Sequence, residues 1–177
     1  MPDTNSVVFA YPILLEPDED GRLVATSVDF PELATDGADI GEALANASDA
    51  LDLVIRERLR QGEPVPDPSP RRTPGYVACP EHVTAYRVAL SRWALGRGRG
   101  AQKELAQLLN KGETHVRRLL SPEGGASMKS LVGALAAIGF RAEPTLALTL
   151  HGRMLGAPGT PRPKQAPVVS NRQKPAA

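Results

Sequence analysis

The sequence holds one cysteine in 177 residues, Cys79, so no intrachain disulfide can close and a metal site built on cysteines is excluded. Cys79 is expected as a packed thiol. Aromatic residues make up 4% of the chain, so any core must be assembled from Leu, Val, Ile and Ala. No apolar run approaches the roughly 20 residues that span a bilayer, and no cationic start precedes an apolar stretch. A cytoplasmic protein without membrane partners is expected. Histidine is scarce too. His82, His115 and His151 are scattered along the chain and suggest no pairing of a nucleophile with a base.

What the chain does have is charge, unevenly placed. Residues 1–70 carry 15 Asp and Glu against 4 Arg, whereas residues 71–177 carry 17 Arg and Lys against 5 Glu. The formal net charge of +1 therefore conceals an acidic half and a basic half. Such a split implies two modules with opposite kinds of partner. Cationic side chains gain affinity for a phosphate backbone by releasing counterions, and an acidic surface repels it.

The acidic half reads as mixed α and β. Val7–Leu15 is β-rich, with Pro12 marking an edge or a break. Glu16–Arg22 is a turn whose hairpin signal is Asp20-Gly21. Leu23–Phe30 follows as a second strand, ended by Pro31, and Asp36-Gly37 signals a further turn. Asp39 then N-caps a helix to about Gln61, with Glu42 placed for a capping box. Ile40, Ala43, Leu44, Ala47, Leu51, Val54, Ile55 and Leu59 form its apolar stripe. Gly62 suits the residue that ends it, and Pro64 and Pro66 forbid continuation. The triplet Asp18, Glu19, Asp20 reads as a solvated turn rather than a metal site. Asp29, Glu32, Asp36 and Asp39 lie at a strand end, in a turn and at a cap, and no shared cage follows from their spacing.

This half resembles the N-terminal domain of HicB antitoxins. The residues that carry the resemblance are the strand from Tyr11, Asp20-Gly21, Phe30-Pro31-Glu32-Leu33, Thr35-Asp36-Gly37, Glu42-Ala43-Leu44 with Ala47, and Gly62 through Ser69. The family usually has a few more residues between Leu33 and Ala34. The resemblance implies a partial RNase H-like fold, antiparallel strands on one long helix, completed by a strand at Tyr76–Ala78. Five prolines between Glu63 and Gly75 predict an extended connector, and the domain boundary falls near residue 80.

The basic half reads as all-helical. Val83–Leu95 supplies a first helix, with Val83, Tyr86, Val88, Ala89, Leu90, Trp93 and Leu95 apolar. Gly96–Gly100 reads as a loop, with Arg97 and Arg99 as possible phosphate contacts. Gln102–Leu120 reads as two short helices about a tight corner. Leu105, Ala106, Leu108 and Leu109 line the first helix, and Val116, Leu119 and Leu120 line the second. Asn110 sits at the corner, where the left-handed conformation is required. This stretch resembles the helix-turn-helix of Xre/Cro-type repressors, although that family usually places Gly and an apolar residue where Asn110 and Lys111 stand. A plain helical hairpin with a solvated basic face fits the same spacing. Ser127 is placed to cap a further helix to about Ile138, and residues 151–177 read as a disordered basic tail.

The expected architecture is therefore α+β: a HicB-like domain over 1–80, a helix-turn-helix domain over 81–150 and the tail. The resemblance implies an antitoxin that masks a HicA-like mRNA-cleaving toxin with its acidic domain. It also implies repression of its own operon through operator double-stranded DNA, by a homodimer or higher homo-oligomer. The expected DNA contacts are Gln102, Lys103, Lys111, Gly112, Glu113, Thr114, His115, Arg117 and Arg118. The expected toxin contacts are Asp29, Phe30, Glu32 and Asp36. No catalytic residue, metal or cofactor is expected. A stand-alone regulator whose N-terminal domain senses a ligand or mediates assembly is the alternative.

Overall fold

The computed structural model describes residues 9–70 and 75–140, together with the backbone of 149–150 and 153–154. Strands β1 (Tyr11–Pro17), β2 (Leu23–Ser27) and β3 (Ala34–Gly37) form an antiparallel meander, followed by helix α1 (Ile40–Gln61) and strand β4 (Tyr76–Ala78). Strand β4 pairs antiparallel with β1, which gives the order β3-β2-β1-β4. The tight β1–β2 turn is held by Asp18, whose carboxylate accepts from the amides of Asp20 at 3.0 Å and Arg22 at 2.7 Å. Gly21 supplies the positive φ of 78°.

Two expectations change here. Asp36-Gly37 is the end of a strand, not a turn, because Val24 pairs with Asp36 and Leu23 with Gly37. Strand β2 stops at Ser27 rather than Phe30. The close packing of β3 on α1 explains why residue 37 is glycine: a Cβ there would overlap the backbone of Ala43.

Helix α1 lies along one sheet face. Ala47, Leu51 and Ile55 are buried against Tyr11, Ile13, Ala25, Phe30, Leu33 and Ala78, and Ala43 is buried beside Gly37. Ile40, the first residue of the expected stripe, is exposed. Asp39 caps the helix by accepting from the Glu42 amide at 2.9 Å, and Glu42 reaches back to the Ala38 amide at 2.7 Å. Gly62 ends it at φ 74°, with the amides of Gly62 and Glu63 bonded to the carbonyls of Leu59 and Arg58.

The second half is helical: α2 (His82–Arg97), a single 3₁₀ turn at Gly98–Gly100, α3 (Ala101–Leu109), α4 (Glu113–Leu120) and α5 (Met128–Ala137). The expected loop at Gly96–Gly100 is thus absorbed into α2 and the 3₁₀ turn. Gly98, at φ 66° and ψ −143°, makes the bend in a region open only to glycine. Leu90, Leu105, Val116, Leu119, Leu131 and Leu135 form the core of this half, and Trp93 packs on it. Val88 leaves that core to join the one under the sheet, while Leu95 and Leu108 are exposed. Ala101, Leu105 and Ala106 of α3 are buried and Leu109 packs beside them, whereas Leu108 falls off that face.

The halves are tied together within one compact unit. Arg92 of α2 donates to the carbonyls of Val65 at 3.1 Å and Pro66 at 2.9 Å, and pairs with Asp67 at 2.7 Å. Residues 63–70 of the proline-rich connector form neither helix nor strand, and this part of it is anchored; residues 71–74 lie outside the described residues. Cys79, expected to be packed, is exposed. Separately, β5 (Thr149–Leu150) and β6 (Arg153–Met154) pair antiparallel. Arg153 and Met154 are therefore strand, not tail; the rest of the expected tail lies outside the described residues, as does His151.

Candidate nucleic-acid interface

The site is built on the corner between α3 and α4. Asn110 adopts φ 49° and ψ 48°, the left-handed conformation its position demands. Its amide bonds to the Gln107 carbonyl at 3.1 Å, and the Lys111 amide bonds to the Ala106 carbonyl at 2.9 Å. These are the two hydrogen bonds with which a glycine usually closes a helix. The side chain of Lys111 points to solvent, so the turn closes without an apolar side chain packed at that position.

Helix α4 is short and strongly two-sided. Val116 and Leu119 are completely or almost completely buried, and everything else that carries charge faces out. Gln102, Lys103, Lys111, Gly112, Glu113, Thr114, His115, Arg117 and Arg118 are all exposed. Their side chains come from the start of α3, the corner and one surface of α4.

Ion pairing separates these cations, and with them Arg99 and Lys129, from most of the others. Arg22, Arg58 and Arg60 pair with Asp36, Glu32 and Glu57, and Arg56 stands 4.0 Å from Asp52. Every arginine of residues 9–70 thus has a carboxylate. In the helical half, Arg97 pairs with Glu104 at 3.1 Å and lies over the Trp93 ring, so its charge is largely taken up. Among the described residues, Lys103, Lys111, Arg117 and Arg118 have no such partner. Their positive charge is left for a ligand.

The loop after α4 is fixed from beneath. Arg87 of α2 is buried and donates to the carbonyls of Pro122 and Gly124. Burial pushes its guanidinium below the usual range, with Arg56 acting in the same sense and Asp52 opposing. Its Nε–H has no partner among the described residues. Gly124 packs so closely on Arg118 that a Cβ would overlap the carbonyl there. Beside α4, the groove that runs to α5 is lined by His115, Arg118, Ser127 and Ser130. Ser127 caps α5 by accepting from the Ser130 amide at 3.2 Å. These two hydroxyls are a polar addition to the surface that the sequence offers only as a helix cap.

The expected protein-binding residues of the acidic half are differently placed. Phe30 is fully buried, edge-on to Tyr11 at 4.9 Å, and belongs to the framework rather than the surface. Asp29 accepts from the backbone and hydroxyl of Ser69 and so fastens the connector to the end of β2. Glu32 is exposed but takes two hydrogen bonds from Arg58, at 2.6 and 3.0 Å, which hold its carboxyl below the usual range. Asp36 is held by Arg22. The structure does not bring these four together as one open acidic cluster. Among the described residues, no group of three His, Cys, Asp or Glu side chains is placed to hold a metal ion, and no helix is long and apolar enough to cross a membrane.

Comparison with known proteins adds the following. Residues 10–79 match a family described as HicB_like antitoxin of bacterial toxin-antitoxin system. The sequence is 28% identical over 130 residues to Antitoxin HicB of Escherichia coli strain K12, covering 73% of this chain and 93% of that one. It is 30% identical over 133 residues to Antitoxin HicB 2 of Photorhabdus laumondii, covering 75% of this chain and 93% of that one. Alignments of that length extend past β4 and into the helical half.

Proposed function

The chain belongs to the HicB antitoxin family, and we propose that it masks a HicA-like mRNA-cleaving toxin with its acidic half and represses its own operon with its basic half. Membership makes the chain an antitoxin rather than an enzyme. The observation that carries the division of labour is the unequal neutralisation of arginine. In the acidic half every described arginine is spent on a carboxylate, which leaves acidic side chains such as Asp18, Glu19, Asp20 and Glu16 in excess. On α4 the cations are unspent.

In this reading α3 and α4 act as a helix-turn-helix, with α4 in the major groove. Arg117 and Arg118 are the side chains suited to guanine, whose O6 and N7 accept from a guanidinium. Gln102 and Lys103, at the start of α3, contact phosphates, and Ser127 and Ser130 add hydroxyl donors beside Arg118. Lys111, Gly112, Glu113, Thr114 and His115 complete the surface. Asp29, Glu32 and Asp36 support the toxin-binding half. Operator recognition by such a motif calls for a homodimer or higher homo-oligomer, because paired half-sites match a two-fold protein. A cytoplasmic location fits both partners.

The test is direct. The full-length chain, expressed with the small cationic open reading frame expected beside it, should copurify with that product and protect a symmetric site upstream of its own gene. Protection without copurification would leave a stand-alone regulator. Copurification without protection would remove the operator half of the reading.

A further inference from the structure

We propose that the face of the four-stranded sheet turned away from α1 is the seat of the cationic protein partner. This rests on the antitoxin reading above and gives its partner a place. Over Tyr11–Leu14 and Val24–Ser27 burial alternates: Tyr11, Ile13, Ala25 and Ser27 are buried under α1, and the residues between them point the other way. An antiparallel sheet covered on one side ordinarily shows polar side chains on the other. Here Ala34 and Asp36 of β3 edge the outer face, and the rest of it carries Pro12, Leu14, Val24, Thr26, Val28 and Val77, five of them apolar.

The register makes these six one patch. Pro12 lies opposite Val77, and Leu14 opposite Thr26. Glu16 lies opposite Val24, and Val28 follows at the bend just past the end of β2. Leu14 is 42% exposed and Val28 61%. Among the described residues, none of the six belongs to either hydrophobic core. Single exposed apolar residues are ordinary, but a sheet face this rich in apolar side chains marks an interaction surface.

Charge selects the occupant. One end of the patch runs into Glu16 and the hairpin tip Asp18, Glu19, Asp20. Arg22 is the only cation between residues 9 and 55, and Asp36 already holds it. An apolar centre with an acidic rim complements a basic protein surface. A second copy of this chain would bring no free cation from the same face to answer that rim.

The experiment uses the full chain, with the HicA-like product of its own operon as the probe and calorimetry as the measurement. Leu14→Arg and Val28→Arg place positive charge in the patch, and Leu53→Arg places it on the exposed side of α1. Val28 lies past the last paired residue of β2, so that variant spares the strand. Operator affinity of each variant reports that the chain has folded. The expected result is about a tenfold or greater loss of toxin affinity for the two sheet variants, none for Leu53→Arg, and unchanged operator affinity in all three. Equal toxin binding by wild type and all variants overturns the assignment while leaving the antitoxin reading intact. Loss of self-association in the sheet variants, with toxin affinity retained, assigns the face to a second copy and overturns it too. Failure of the wild type to bind the toxin at all refutes the antitoxin reading itself.

Discussion

Asp52, buried in the middle of α1, accepts a hydrogen bond from the backbone amide of Glu81 at 3.1 Å. Glu81 is the residue from which α2 starts, and its own side chain makes no capping bond. A carboxylate from the sheet-packed helix therefore stands at the positive end of the first helix of the helical half, where negative charge is favoured. Asp52→Ala should cost about 1–2 kcal/mol, the range for a lost helix cap. For a chain of this size that lowers the melting midpoint by about 2–8 °C. Asp52→Asn keeps an acceptor oxygen and should recover most of the loss. Equal destabilisation by both variants would mean that charge, not the acceptor, matters.

Asn110 gives a second test of stability. An L-residue in the left-handed region costs about 1–2 kcal/mol unless it is Gly or, to a lesser degree, Asn. Asn110→Ala should destabilise by about 1 kcal/mol, and Asn110→Gly should be neutral or stabilising. Both are read from chemical denaturation midpoints. A destabilised Gly variant would show that the Asn side chain itself holds the corner.

For recognition, Arg117→Ala and Arg118→Ala should each weaken operator binding by about 1–3 kcal/mol and relax the preference at one base pair. Lys103→Ala should instead weaken all sequences alike and lower the salt slope by about one. Fluorescence anisotropy across salt concentrations, on operator and scrambled duplexes, separates the two behaviours. Unchanged operator affinity in both Arg variants would remove α4 from the interface.

Alkaline pH should unfold the sheet half through Tyr11. Its hydroxyl donates to the Pro66 carbonyl at 3.0 Å, and burial pushes it up from 10.0 to about 12, with Arg92 opposing and Asp29 and Asp67 adding. The folded chain keeps a proton that the unfolded chain releases, so this contribution is whole below pH 10 and is lost as pH rises towards about 12. Urea midpoints measured from about pH 8 to about pH 11 should fall more steeply for the wild type than for Tyr11→Phe. Parallel curves would show that Tyr11 ionises as freely folded as unfolded.

Local signals carried much of the fold. The caps at Asp39 and Ser127 and the closing residues Gly62 and Asn110 are where short-range chemistry puts them. Each depends on hydrogen bonds within a few residues, which the sequence displays directly. Strand β3 was not legible, because Ala34–Gly37 has no strand pattern of its own and is extended only by pairing with β2. The outward placement of the α4 cations followed from the burial of Val116 and Leu119, but their lack of partners did not.

The α+β order, the helix ends and the polarity of charge along the chain depend on residue type and near neighbours, and so could be read without coordinates. Which charges cancel and which remain depended on long-range packing. It sent Val88 to one core and Leu108 to the surface, took Phe30 out of reach, and left an apolar sheet face uncovered. Ion pairs such as Glu32 with Arg58 join residues far apart in the chain, and only the packing of α1 on the sheet brings them within reach.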